Sequence, residues 1–186
     1  MKINFLPLFL AVFTVFFFLP KVQAQNELGF KTAYSSELQT FGGGVRGVLH
    51  INESFSFSPE IAAFLPVSNT ILLPGEGNET ASLKTRLVLF NADFHYNLDL
   101  YIPDFNIYLL AGFNYTDVDK RLSGTELFQD TSVNDVFDVR ESGIGANLGF
   151  GVDYTIRTGL KVFAEPKYVF NDFSQFIFSL GITASL

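Results

Sequence analysis

The chain has 186 residues, enough for one domain, and 48% of them are hydrophobic, which excludes a disordered tail or linker. Its 23 Phe and 7 Tyr accompany only 17% charged residues, too few to cover a water-soluble globular surface. The net charge of −7 makes nucleic acid an unsuitable partner, and the absence of Cys excludes disulfides and thiolate metal sites.

The amino-terminal segment has the three parts of a signal peptide. Lys2 supplies a positive start, residues 5–19 are almost wholly apolar, and small residues precede and include Ala24. We expect cleavage after Ala24, so that residues 1–24 are a signal peptide and residues 25–186 form a single domain. An uncleaved membrane anchor is the less favoured alternative, because Pro7 and Pro20 interrupt the apolar segment.

Eight segments of the remaining chain alternate apolar and polar residues with the period of two that β-strands require. They are residues 28–36, 41–51, 54–64, 83–97, 106–117, 143–156, 160–171 and 176–186. In 176–186 the alternation breaks only at Ile177, and the glycine content of 143–156 excludes a helix. Each segment is close to the roughly 9–11 residues of a tilted transmembrane strand. The pattern predicts an all-β fold, an eight-stranded antiparallel up-and-down transmembrane β-barrel.

The connections between these segments differ in length. Two long loops, residues 65–82 and 118–141, follow the third and fifth strands and therefore share one side of an up-and-down barrel. Shorter connections at 52–53, 98–105 and 157–158 indicate the periplasmic turns, so the long loops are predicted to face outward. The loop 118–141 is rich in carboxylates, which favours a solvated loop over a cation site.

The period of two leaves the orientation of the apolar face open. This face could contact lipid, or it could line the ligand cavity of a lipocalin-like soluble carrier. The opposite face consists largely of Gly, Ser, Thr and Asn, which suits a narrow polar lumen better than a soluble exterior. We therefore predict that the aromatic residues, including Phe150 and Phe178, point outward.

With this orientation the predicted lumen contains ten ionisable residues of nearly balanced charge. They are Lys31, Arg46, His50, Glu60, Asp93, His95, Asp153, Lys161, Glu165 and Lys167. Seven of them, Arg46, Glu60, Asp93, Asp153, Lys161, Glu165 and Lys167, are predicted to form a structural network that closes the lumen. An eight-stranded barrel is filled by side chains, so we expect no general pore.

The two short turns also predict the cross-strand register of this interior. The turn at 52–53 places Arg46 opposite Glu60, and we expect these two residues to form an ion pair. The turn at 157–158 places Asp153 opposite Lys161, a second expected ion pair. It also places Gly151 opposite Phe163, so that the ring covers the glycine.

The sequence offers little catalytic chemistry. His50 and His95 are the only histidines, and both are predicted near the periplasmic rim. A lipid A-modifying barrel enzyme remains an alternative, but its substrate would lie in the opposite leaflet. Glycine clusters at 42–47 and 143–148 lack the residues of a P-loop or a dinucleotide fingerprint. We expect no enzyme activity, no catalytic residue, no bound metal and no cofactor.

Three segments carry a resemblance to a known family. Residues 108–115 (YLLAGFNY), 147–154 (NLGFGVDY) and 163–170 (FAEPKYVF), in this order, resemble the outer-membrane protein β-barrel domain family of Gram-negative bacteria. The chain is similar to OmpX and OmpA barrels, particularly those of Bacteroidetes. The resemblance implies an outer-membrane location, contact with outer-membrane lipid and the barrel assembly machinery, and a structural or surface-interaction role with an unknown loop ligand. Pro166 departs from the strand pattern and predicts a bulge or kink.

Overall fold

The computed structural model describes residues 26–72, 80–124 and 138–186. The predicted signal peptide and the central parts of both predicted long loops lie outside these ranges. The described chain forms nine β-strands, namely β1 (Glu27–Ser35), β2 (Thr40–His50), β3 (Phe55–Phe64), β4 (Val67–Leu72), β5 (Thr80–Leu98), β6 (Phe105–Gly124), β7 (Asp138–Arg157), β8 (Leu160–Phe170) and β9 (Gln175–Ser185). Within these ranges we find no helix with the length and hydropathy of a transmembrane span.

The strands form one antiparallel sheet that closes on itself. Its order is β3-β2-β1-β9-β8-β7-β6-β5-β4, and β3 also pairs with β5. From Ala63 to Val67 the chain advances four residues while its partners on β5 advance three, from Val88 to Thr85. Strands β3 and β4 are therefore two parts of one barrel strand, interrupted where Pro66 supplies no amide hydrogen. The fold class, an eight-stranded up-and-down barrel, is confirmed.

The two ends of the barrel differ. We call the end that holds Glu27, Ser185 and the connections 51–54, 99–104 and 158–159 the lower end, and the opposite end the upper end. Five predicted strands, 28–36, 41–51, 54–64, 160–171 and 176–186, agree with the observed bounds to within two residues. The boundaries of both predicted long loops were wrong, because β4 and the start of β5 lie within 65–82, and β6 and β7 extend into 118–141.

The register of the last lower hairpin also differs from the prediction. Thr155 pairs with Lys161 and Asp153 pairs with Phe163, so the expected pairing of Asp153 with Lys161 was wrong by two residues. A register shift lies between Thr155 and Arg157, and Gly159 has a φ of 78°, which places the turn at 158–159. Alternation alone does not reveal such an extra residue.

The predicted bulge at Pro166 is absent from the described ladder. The register between β7 and β8 is the same at Gly149–Lys167 and at Val152–Ala164, and only the pairs between these two are missing. On its other edge Pro166 pairs with Phe178. The proline interrupts hydrogen bonding on one edge of β8 without shifting the strand.

The outer face of the barrel is apolar and aromatic, as the orientation predicted. Phe150 is 57% exposed and Phe178 is 39% exposed, whereas Ile177, the residue before Phe178 on β9, is 1% exposed. Aromatic rings from adjacent strands contact one another on this face, for example Phe55 with Tyr96 and Phe105 with Tyr154, at centroid distances of 5.0 and 4.8 Å.

Three aromatic residues of the described strands nevertheless point inward, which corrects the prediction that the aromatic residues face outward. Phe64, Tyr108 and Phe163 are all buried. Each is paired directly with a glycine on the neighbouring strand: Phe64 with Gly42, Tyr108 with Gly151, and Phe163 with Gly181. A methyl group at Gly151 or Gly181 would meet the facing ring. The predicted pairing of Gly151 with Phe163 was wrong, but a ring does cover each glycine.

Candidate functional site in the barrel interior

The centre of the lumen contains a buried cluster of charges around Lys167. Its ammonium donates hydrogen bonds to Glu60 and to Asp93 Oδ2, the latter at 2.8 Å, and lies 3.6 Å from Glu165 Oε1. Lys31 Nζ donates to Glu60 Oε2 at 2.6 Å. These five side chains are almost completely inaccessible to solvent, so each charge relies on its partners for stabilisation.

Arg46 forms the second part of this charge cluster, one layer closer to the lower end. Its Nη1 donates to Glu165 Oε2 at 2.8 Å, and its Nη2 lies 3.7 Å from Asp153 Oδ1. The guanidinium also stacks over the ring of Phe163 at 3.5 Å. Tyr108 Oη donates to the same Glu165 oxygen at 3.0 Å. Arg46 and Tyr108 therefore share one carboxylate.

Amide side chains extend the network towards the upper end. Asn147 Nδ2 donates to Asp93 Oδ1 at 2.7 Å and to Asn91 Oδ1 at 2.9 Å, and Asn114 donates to the same Asn91 oxygen at 2.6 Å. Asn171 and Thr116 continue the chain of bonds. The predicted network did not include these amides or Tyr108. Asn91 and Asn147 share the parity of Asp93 and Asp153 on their strands, which places them on the inner face.

The predicted lumen residues all lie on the inner side of the barrel. The eight that are buried or nearly so are Lys31, Arg46, Glu60, Asp93, His95, Asp153, Glu165 and Lys167, while His50 and Lys161 are partly exposed. Arg46 does pair with Glu60 in the β2–β3 register, as predicted. The expected ion pair between them was wrong, since Glu60 binds Lys31 and Lys167 instead. Lys161 binds Glu27 at 2.5 Å.

Three carboxylates around Lys167 converge as the ligands of a metal site would. One oxygen from each of Glu60, Asp93 and Glu165 lies within 4.8 Å of the other two. Lys167 already contacts all three residues, so a lysine ammonium supplies the cation that this cluster requires.

An apolar cluster fills the upper part of the lumen. It consists of Ala33, Ala62, Phe64, Leu87, Leu89, Val118, Val169 and Ile177, with Leu38 and Phe173 packed against it. Ile177 belongs to this cluster, which explains why it breaks the alternation of β9. The cluster separates the charged network from the upper end.

The lower part of the lumen is an open cavity of about 790 Å³, which we call the vestibule. It is lined by His50, Ile51, Asn52, Glu53, Asn97, Asp104, Phe105, Asn106, Asp153, Thr155 and Lys161. Asp153 connects its lining to Arg46 and hence to the charged network. The barrel interior is therefore accessible at the lower end and packed above it.

The two histidines have different surroundings. His50 Nε2 lies 3.2 Å from Glu27 Oε1 at the vestibule. His95 is buried, and its ring stacks on Tyr108 with a centroid distance of 4.4 Å and an interplanar angle of 15°. Ser56 pairs with both histidines in the strand register, which places these three residues at one level of the barrel.

Strands β4 to β7 continue above the level at which their neighbours turn. The β1–β2 and β8–β9 connections span only residues 36–39 and 171–174, whereas the β5–β6 ladder reaches Ala81 and Gly124. The outward face of this extension is charged: Arg140 donates two hydrogen bonds to Asp117 at 2.8 and 2.7 Å, and Arg121 lies 3.1 Å from Asp119. We call this part of β4 to β7 the upper extension.

Several solved outer-membrane proteins are similar to this chain. A major outer membrane protein from Thermus thermophilus is similar with a TM-score of 0.61 and 12% identity, over 87% of this chain and 99% of that one. Neisserial surface protein A has a TM-score of 0.55 and 18% identity, with 87% and 95% coverage. The N-terminal barrel domain of Pseudomonas aeruginosa OprF has a TM-score of 0.53 and 11% identity, over 87% of this chain and 97% of that one.

These similarities concern the fold alone. No family model matches the sequence, and a search of curated proteins returned no match. The identities are low, yet the aligned regions span nearly all of each solved barrel. The expected similarity to small outer-membrane barrels is therefore confirmed as a shared eight-stranded architecture.

Proposed function

We propose that the protein is an outer-membrane β-barrel with a structural or surface-interaction role, in which the upper extension and its loops carry any recognition. Its precursor is exported and cleaved after Ala24, and the barrel assembly machinery inserts it into outer-membrane lipid. The proposal includes no catalytic residue, no cofactor and no general pore. We also propose that the chain is related to OmpX-like barrels of the Bacteroidetes type. The ligand of the loops is not specified.

The height of the apolar outer band carries this proposal. On β7 the outward residues from Tyr154 to Ile144 are apolar, and Arg140 begins the charged region above them. Ten residue intervals at about 3.3 Å span roughly 33 Å along the strand. A tilt of about 45° reduces this to a height of roughly 23 Å, close to the apolar band of about 25 Å in outer-membrane barrels.

The interior supports a closed barrel. Buried charges fill the middle of the lumen and the apolar cluster fills its upper part, so the described side chains occupy the route that a diffusing solute would take. A lipocalin-like carrier would instead need a large apolar cavity and a polar outer face. The positions of the histidines give no support to a lipid A-modifying enzyme, since His95 packs on Tyr108 and His50 lies at the lower end.

Single cysteines test the location and the orientation together, because the natural chain contains none. Glu37→Cys lies in an upper connection and Thr158→Cys in a lower turn, and both positions are exposed. A membrane-impermeant maleimide should label Glu37→Cys on intact cells, but should label Thr158→Cys only after the outer membrane is permeabilised. The cysteine-free parent is the control for background labelling.

Folding is measured on the same samples by gel mobility with and without boiling. A heat-dependent shift in the membrane fraction is expected for a closed barrel. Recovery of the protein in the soluble periplasmic fraction, without a shift, would favour the carrier. Labelling of Thr158→Cys on intact cells would show that the barrel is inserted with the opposite orientation.

A further inference from the structure

We propose that the vestibule binds an elongated organic cation that donates several hydrogen bonds, namely an aliphatic diamine or the basic side chains of a peptide. The inference goes beyond the structural role above and depends only on the barrel fold. It rests on the shape of the cavity, the chemistry of its lining, and the few hydrogen bonds that Asp153 makes at its inner end.

The lining of the vestibule has an excess of hydrogen-bond acceptors. Glu53, Asp104 and Asp153 contribute carboxylates. Lys161 is the one permanent cation among the lining residues, and Glu27 already binds it at 2.5 Å. An anion would meet three like charges here, whereas a ligand rich in N–H donors would be attracted to the cavity.

Asp153 is buried but poorly bonded. Its Oδ2 accepts one long hydrogen bond from Asn106 at 3.4 Å. Its Oδ1 has no hydrogen-bond partner among the described residues, and the nearest cation, Arg46 Nη2, lies 3.7 Å away. Arg46 is more closely bound to Glu165, at 2.8 Å. Oδ1 is inaccessible to solvent and faces Arg46. Asp153 nevertheless lines the vestibule, so a donor in the cavity would add to the single long hydrogen bond of its Oδ2.

The arrangement favours an extended cation over a metal ion. Among the described residues, the only convergent group of three carboxylates is the one around Lys167, so Glu53, Asp104 and Asp153 do not meet at one point. Two of these acids are exposed near the mouth and the third is buried further in. A ligand with separated amino groups can reach both levels in a cavity of about 790 Å³.

The test measures binding to the full-length mature barrel refolded in detergent micelles, by isothermal titration calorimetry. The probes are 1,4-diaminobutane and trilysine, with uncharged 1,4-butanediol as the matched control. At least one of the two amines should bind at least tenfold more tightly than the diol. Binding of the diamine alone identifies a free amine as the ligand class, and binding of trilysine alone identifies a basic peptide.

Asp153→Asn should weaken the binding of the responding amine about tenfold or more, because the amide removes the charge at the inner end of the cavity. Glu37→Gln, which removes a carboxylate at the upper end, is the matched control and should leave binding unchanged. If Asp153→Asn does not fold, as judged by heat-dependent gel mobility, the double variant Glu53→Gln with Asp104→Asn replaces it. Amine binding no tighter than that of the diol, or equal binding to all variants, would overturn the proposal.

Discussion

Single residues on the inner face are matched in size across neighbouring strands. Tyr108 pairs with Gly151, and a methyl group at Gly151 would overlap the phenol ring. This ring is held in place by the hydrogen bond from its hydroxyl to Glu165. Gly151→Ala should therefore destabilise the barrel by about 1–3 kcal/mol, the usual cost of overpacking. The change is measured by urea unfolding of the barrel refolded in lipid vesicles, followed by heat-dependent gel mobility.

Gly43→Ala is the matched control for this substitution. Gly43 also lies within a strand, but it faces outward, and an added methyl group would contact only the Lys31 carbonyl oxygen at 3.8 Å. The free energy of unfolding of the Gly43→Ala variant should remain within about 0.5 kcal/mol of that of the parent. Equal losses in both variants would mean that alanine weakens the strands generally, and that the ring of Tyr108 does not determine the effect.

Among whole elements, strands were easier to predict than their ends and registers. Alternation locates each strand because one face contacts the apolar exterior, but this signal is lost where the outward face is charged, as in the upper extension. It also cannot detect the extra residue between Thr155 and Arg157. Ile177 breaks the alternation for a reason that lies in other strands, since the rest of its apolar cluster comes from β1, β3, β5, β6 and β8.

A further prediction concerns the outward face of β7. Phe150 lies near the middle of the apolar stretch of β7 and is more than half exposed. Phe150→Arg should reduce the free energy of unfolding in lipid vesicles by about 2–4 kcal/mol, because a guanidinium would lie at the bilayer midplane. Phe150→Leu keeps the surface apolar and should retain stability to within about 1.5 kcal/mol. Equal folding yields and stabilities of both variants would mean that this face does not contact lipid.

At the scale of the whole molecule, the interior is organised in layers from the lower to the upper end: the vestibule, the charged network, the amides and the apolar cluster. The charged layer contains at least one charged or hydrogen-bonded side chain from every barrel strand. They are Lys31, Arg46, Glu60, Asp93, Tyr108, Asp153, Lys167 and Ser179. The sequence identified most of the ionisable members by parity. It could not identify their partners, because contacts across the lumen join strands that are not neighbours in the sheet.

Lys167 is the residue on which this layer depends most, since it contacts Glu60, Asp93 and Glu165 on three strands. Lys167→Met fills a similar volume but leaves these carboxylates without their shared cation, and should cost about 3–5 kcal/mol in urea unfolding experiments. Adding Asp93→Asn to this variant removes one uncompensated charge and should restore part of the loss. Lys84→Met, at an exposed site on the upper extension, should change stability by no more than about 0.5 kcal/mol. If Lys167→Met is as stable as Lys84→Met, the buried ion pairs contribute no net stability, and the barrel depends on its sheet and apolar packing.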